Sequence, residues 1–279
     1  MSLFSKQLDE ICGLIKGSIL TADQTDKRFV AIYQITMALQ FKDLLQAAKT
    51  VAEAKQVAGM WVIIRSLSEI YIRSSWIGTD NTRAVWILRC EMVYERNQLL
   101  AKEKELLKIG DKLPEELAQA VQKFDEEIVA MEEQLNQQDP LYWDSKKNCF
   151  RKSPSLKSLV PLPSSEDSVM LQKENDRFSV YTSYYKYGSW YTHGSHRILQ
   201  DYFDKKSDHI PTINAFSSTE EDYQGALMPI MVLALKFAAD LQYLGYKINE
   251  DRLNAIAKEA DEQMADPKAK RVKNGVSPA

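Results

Sequence analysis

Cysteine is scarce in these 279 residues, with Cys12, Cys90 and Cys149 widely spaced and no CxxC pair among them. An odd, scattered set of thiols excludes a disulfide framework and a thiolate zinc site, and it implies reduced thiols in a cytoplasm. Long apolar runs are also missing. The longest, Ala226 to Leu235, is about half a membrane span. Asp9 and Glu10 stand where a secretory signal would need its apolar centre. From these absences we expect a cytosolic chain with no membrane anchor. Phosphate-binding glycine loops, a GxSxG elbow and a dinucleotide fingerprint are absent too, which removes the commonest nucleotide-dependent and hydrolase classes. Charge of one sign is not in excess: the formal net charge is −3 and the pI about 5.8. The chain as a whole therefore exerts no dominant pull on nucleic acid or anionic membrane, although a local basic patch remains compatible with it.

What is present is helical periodicity. Apolar residues make up 44% of the chain and recur at three- and four-residue spacings, while no strictly alternating run is bounded by hairpin turn residues. The spacing predicts an all-α fold with helices near 3–20, 25–50, 52–77, 80–108, 115–137, 166–175, 177–203, 219–246 and 249–264. Thr79 or Asp80 suits the N-cap of the fourth helix. Gly110 and Pro114 punctuate the turn after it, Ser218 with Glu221 suits a capping box for the eighth, and Pro229 should kink that helix or mark its start.

Leu117, Val121, Phe124, Ile128, Met131 and Leu135 follow a 4, 3, 4, 3, 4 rhythm, and Met92, Leu99 and Leu106 repeat every seven residues. That is coiled-coil patterning. With the short turn between them, the segment from about 80 to 137 should form a projecting antiparallel helical hairpin of the kind that embraces another subunit; the alternative is an ordinary pair of core helices. Residues 139–165 hold Pro140, Pro154, Pro161 and Pro163 among Ser and Lys, and read as an irregular, solvated linker. Its aromatic start, Leu141-Tyr-Trp143, and its Lys146-Lys147 and Arg151-Lys152 pairs leave packing on the body or an anion contact as alternatives. The expected organisation is one helical domain over 1–264, followed by a frayed basic tail over 265–279.

Two polar constellations interrupt apolar helical stretches. The first is Arg65 and Glu69, one turn apart in the run from Met60 to Ile72, with Arg73 extending the stripe by another turn. Charges inside such a run are costly unless paired, so they read either as anchors facing another helix or as an ion pair near the surface. The second is Ser189, His193, His196 and Arg197, near Gly188 and Gly194, glycines that permit a backbone or ligand to come close. Histidine transfers protons near neutral pH, arginine holds phosphate, and Ser or Tyr hydroxyls orient either group. These residue types suit phosphodiester chemistry. A satisfied interhelical histidine is the bland alternative. His193 and His196 also raise a metal-dependent hydrolase, but no HExxH or paired ExxH pattern accompanies them, so no metal and no cofactor are expected. The preceding ladder of Tyr181, Tyr184, Tyr185, Tyr187, Trp190 and Tyr191 reads as interhelical packing, with base stacking as its functional alternative.

Through Arg65-Ser-Leu-Ser-Glu69 and the segment from Tyr185 to Ser189-Trp-Tyr-Thr-His193-Gly-Ser195, the sequence resembles a large bacterial family of unknown function related to HEPN domains. The resemblance spans about 25–245. It implies an all-α, HEPN-like helical bundle, a homodimer, and an action on RNA: many such proteins are metal-independent ribonucleases in toxin–antitoxin or antiphage systems, and others only bind or scaffold. Arg65, Glu69, Ser189 and His193 are the matching positions. HEPN ribonucleases carry an Arg followed one to two turns later by His, whereas here His193 precedes Arg197. In the catalytic version His193 is the acid or base, Arg197 or Arg65 holds the phosphate, Glu69 orients an arginine, and Ser189, His196 and Tyr185 contact substrate. The alternative is a non-catalytic assembly protein that engages a partner through its hairpin.

Overall fold

The computed structural model describes residues 3–22, 28–112, 114–137, 139–160, 169–192 and 220–265. Helices dominate: α1 (Leu3–Thr21), α2 (Phe29–Glu53), α3 (Val57–Ile77), α4 (Asn81–Lys108), α5 (Glu115–Glu132), α6 (Val169–Val180), α7 (Lys186–Thr192), α8 (Glu220–Tyr243) and α9 (Glu250–Ala265). The all-α class expected from periodicity is what these elements form. The chain divides into two compact units, one built from 1–24, 35–76 and 159–279, the other from 25–34 and 77–158.

In the first unit the core is aliphatic and aromatic. Ile11 and Ile15 of α1, Leu45 of α2, Met60, Ile64 and Leu67 of α3, and Ile230 and Leu233 of α8 are all fully buried. Phe41 and Phe237 stack face to face with centroids 3.9 Å apart. Burying one such side chain stabilises the fold by about 1.5–3 kcal/mol. At the end of α2, Lys55 takes a positive φ of 53° and Gln56 N–H returns to the Val51 carbonyl at 3.0 Å, so the turn into α3 has a left-handed cap without glycine. Helix α8 runs unbroken through Pro229, so that proline neither starts nor ends the helix. The stretch Asp222–Tyr243 has the length and composition to cross a membrane; Ala226, Ile230, Leu233, Ala234, Phe237 and Ala238 along it are buried.

The second unit is an antiparallel helix pair with a small ribbon packed on it. Arg89 of α4 pairs with Glu132 of α5, and Arg96 with Asp125, so partners fall in α5 as they rise in α4. Asp80 caps α4 by accepting from the Thr82 and Arg83 amides at 2.9 and 3.1 Å. Gly110, at φ 77°, turns the chain toward Pro114 at the start of α5. The seam is uneven: Ile128, Met131 and Leu135 are buried, whereas Met92, Leu99, Leu106 and Leu117 are only half-buried; off the seam, Tyr94, Leu107, Ile109 and Val129 are exposed.

Three expectations need correction here. Helix α5 ends at Glu132, and the residues to 137 form turns. No break separates 175 from 177, because α6 runs on to Val180. The solvated linker is instead a packed segment. Trp143–Asp144 and Cys149–Phe150 pair antiparallel as strands β1 and β2, Tyr142 is buried, and its ring meets Trp86 edge-on at 5.2 Å. The Arg151 carbonyl accepts from Trp86 Nε1 at 3.3 Å. Aromatic burial and these hydrogen bonds outweigh the proline-rich composition that suggested a loop. Ser218 lies outside the described residues, as do residues 193–203 of the expected seventh helix.

Candidate functional site

Trp61, Arg65, Glu69 and Arg73 recur at one-turn intervals and form a stripe along α3. Helix α7 crosses that stripe with almost no clearance. A Cβ on Gly188 would lie 2.6 Å from the Trp61 carbonyl oxygen and 2.9 Å from Arg65 Cβ, so glycine is needed for the two backbones to approach this closely. Rings flank the crossing. Tyr187 packs on Trp61 with centroids 4.4 Å apart, and the Arg65 guanidinium lies 5.6 Å from the centre of the Tyr185 ring, a distance at which a cation and a ring attract.

The chain reaches this crossing through a π turn. Between α6 and α7, Tyr181–Tyr185 adopts π geometry, and Lys186 N–H donates to the Tyr181 carbonyl five residues back. The extra residue in the turn rotates α7 relative to α6, and such turns cluster at functional sites. It also lets Tyr181 and Tyr185 stack at 5.4 Å. Burial pushes the Tyr184 hydroxyl above its usual range. Of this ladder, Tyr187 packs against Trp61 of α3 and Tyr181 against Tyr185.

Two polar atoms at the crossing are left over. Arg65 Nε and Ser189 Oγ are buried, and neither finds a hydrogen-bond partner among the described residues. Each such group costs about 1–3 kcal/mol if it stays unmade, so each is a donor that a bound acceptor would satisfy. An N–H and an O–H together suit an oxyanion.

Glu69 does not join Arg65. Its Oε1 accepts from Arg73 Nε and Nη2 at 3.4 and 3.3 Å, and its side chain is 37% exposed. The sequence left open whether Arg65 and Glu69 are anchors or a surface pair. The structure divides them: Arg65 faces Tyr185 and the α7 crossing, while Glu69 belongs to a surface ion pair in the favourable Glu-before-Arg order. His193, His196 and Arg197 lie outside the described residues. Among the described residues, no three His, Cys, Asp or Glu side chains converge as metal ligands.

What sequence reasoning missed is the clamp that holds α6. Lys173 pairs with Asp240 of α8 at 3.1 Å and lies 3.5 Å from the centre of the Tyr243 ring. Asp176 pairs with Lys236, and the buried Arg177 donates to the Ser75 carbonyl at 3.4 Å. Asp240 Oδ2 is buried without a hydrogen-bond partner among the described residues. Burial raises the Asp240 carboxyl above its usual range, with Lys173 opposing the shift. The signal for this clamp was the charged run Lys173 to Arg177 inside a short helix, which composition alone cannot distinguish from a solvated face.

A model of a family of unknown function, DUF5677, matches residues 33–210. The chain belongs to the DUF5677 family. The match spans α3, the π turn and α7, so the Arg65–Gly188–Ser189 crossing lies within the DUF5677 region. It is a match to this family and not to a HEPN model. No curated protein and no solved structure matches the chain significantly.

Proposed function

We propose that this DUF5677 protein binds RNA and acts on its phosphodiester backbone, as HEPN-type helical proteins do, through a site centred on Arg65 and Ser189. The observation that carries the reading is the pair of buried, unpartnered groups, Arg65 Nε and Ser189 Oγ, at the crossing that Gly188 makes close. A phosphate oxygen accepts from both, and the planar guanidinium matches phosphate geometry. Tyr185 restrains the arginine from one side. In the catalytic form of this proposal, His193 is the proton donor or acceptor, Arg197 holds phosphate and His196 contacts substrate, and the chain acts as a cytoplasmic homodimer without metal or cofactor. Glu69 restrains Arg73, which lies one turn further along the same stripe.

The test is incubation of the protein with end-labelled single-stranded RNA in the presence of a chelator. Cleavage that disappears in His193→Ala, with the melting temperature unchanged, supports the catalytic reading. Equal cleavage by wild type and variant removes it.

A second reading is favoured by a different observation. Tyr94, Leu107, Ile109 and Val129 are exposed on the α4–α5 pair, with Ile109 at 76%. Exposed apolar residues along a helical pair, with Leu107 and Ile109 at its turn, suit contact with another protein chain, and on this reading the protein is a non-catalytic assembly module. Leu107→Ser with Ile109→Ser should then shift the sedimentation of the protein, or of its complex, toward the monomer; an unchanged profile argues against it.

A further inference from the structure

The ribbon of the second unit carries exposed cations that the Arg65 crossing does not use. From Ser145 to Val160 the chain has Lys146, Lys147, Arg151, Lys152 and Lys157 and no acidic residue. All five are exposed. The one acidic neighbour in the ribbon, Asp144, is largely occupied by the turn: its Oδ1 accepts from the Lys146 and Lys147 amides at 3.2 and 3.3 Å, and its Oδ2 is 3.9 Å from Lys147 Nζ.

The cations are displayed on a fixed frame. Asn148, at φ 50°, closes the turn between the strands, in a conformation that asparagine tolerates better than most residues. Trp143 and Phe150 pair across the ladder with rings 4.9 Å apart, edge to face. The Arg89 guanidinium lies 5.0 Å from the centre of the Phe150 ring while its Nε donates to Glu132 at 2.9 Å. The Arg151 carbonyl is held by Trp86, and Arg151 Nε donates to the Trp143 carbonyl at 3.3 Å. A frame that is ordered before binding loses little entropy when a ligand arrives.

We propose that this basic ribbon is a contact surface for the backbone of single-stranded RNA, with Lys146, Lys147, Arg151 and Lys152 neutralising phosphates. The inference rests on the RNA reading above and adds a second, separate surface to it. Charge complementarity names a polyanion. The half-exposed Trp143 beside the cations favours single-stranded RNA over an anionic lipid surface or an acidic peptide, because unpaired bases stack on aromatic rings. The ribbon makes no base-edge contact in this proposal, so it supplies affinity and not sequence preference.

The experiment titrates a fluorescein-labelled uridine 20-mer into the full-length protein over a range of salt concentrations. Wild type is compared with the quadruple variant Lys146→Gln/Lys147→Gln/Arg151→Gln/Lys152→Gln. A control, Lys102→Gln/Lys104→Gln/Lys108→Gln/Lys112→Gln, removes the same charge from the α4–α5 end. Each phosphate neutralised on a single strand contributes about 0.7 to the slope of log affinity against log salt, so the ribbon variant should lose about 2–3 units of slope. Its affinity at low salt should fall at least about tenfold, with the control close to wild type. Equal loss in the two variants reduces the effect to net charge and overturns the surface. An unchanged ribbon variant overturns it while leaving RNA binding at Arg65 standing. If wild type binds no RNA, both readings fall, and binding of phosphatidylserine vesicles in its place would assign the ribbon to a membrane.

Discussion

Gly188 faces the backbone of Trp61 with no room for a methyl group, since a Cβ there would lie 2.6 Å from the Trp61 carbonyl oxygen. The same Cβ would lie 3.1 Å from the Arg65 amide nitrogen. Both neighbours are main-chain atoms of α3, which cannot swing aside as a side chain can. Gly188→Ala should therefore force α7 away from α3 and cost about 1–3 kcal/mol, despite the better helix propensity of alanine. Gly13→Ala is the matched control, because nothing lies within 4 Å of its Cβ position in α1; it should stabilise by about 0.5–1 kcal/mol. Chemical denaturation of the two variants checks the pair. Equal effects would mean that the crossing is not closely packed.

Ser189→Ala separates a ligand-binding hydroxyl from a structural one. Its Oγ is buried without a partner among the described residues, so removing it also removes an unmet desolvation cost. The variant should melt at or above the wild-type temperature, yet bind RNA at least about tenfold more weakly, as expected for one lost hydrogen bond to a charged group, about 1.5–3 kcal/mol. A fall in melting temperature without ligand would instead give the hydroxyl a structural role.

Asp240 gives a pH signature. Burial raises its carboxyl, with Lys173 opposing and Asp176 adding to the shift. A folded-state value above the unfolded one means that the carboxyl's contribution to stability is complete below the ordinary aspartate range, near pH 4. It is lost as pH rises through the raised value. The stability of wild type relative to Asp240→Asn should therefore decline between those limits and level off above them. Denaturation of both proteins across that range measures it, and a flat difference would contradict the burial argument.

Thiol labelling reads the fold directly. Burial pushes the Cys12 thiol up to about 11, with Asp9 adding to the shift, and burial also raises Cys90. Cys149 is exposed. Because the thiolate is the reactive form, a maleimide at neutral pH should modify Cys149 alone in the native protein and all three cysteines after denaturation. Rapid native labelling of Cys12 or Cys90 would show that their helices are not packed as described.

The helices were legible in the sequence because their apolar faces follow the helical period with few interruptions, as in α3, where Met60, Ile64 and Leu67 are all fully buried. Asp80 was legible as a cap because its side chain acts on the next three residues, within reach of local reasoning. The division between Arg65 and Glu69 was not legible. A one-turn spacing offers Glu69 two arginines, and the approach of α7 at Gly188, over a hundred residues away, leaves Arg65 facing Tyr185. The π turn was hidden as well, since Tyr181 to Tyr185 carries no proline or glycine and its geometry comes from docking both flanking helices. The β1–β2 ribbon escaped notice because each strand is two residues long, too short for alternation to show.

The most direct test of the Arg65–Ser189 site is the affinity of purified Arg65→Gln for a labelled single-stranded RNA, measured beside wild type with the melting temperatures of both. The account predicts that wild type binds and that Arg65→Gln loses at least about tenfold in affinity, the cost of a charged contact of roughly 1.4 kcal/mol or more, while remaining folded. Undiminished binding by a folded Arg65→Gln, or no binding by wild type, would contradict it.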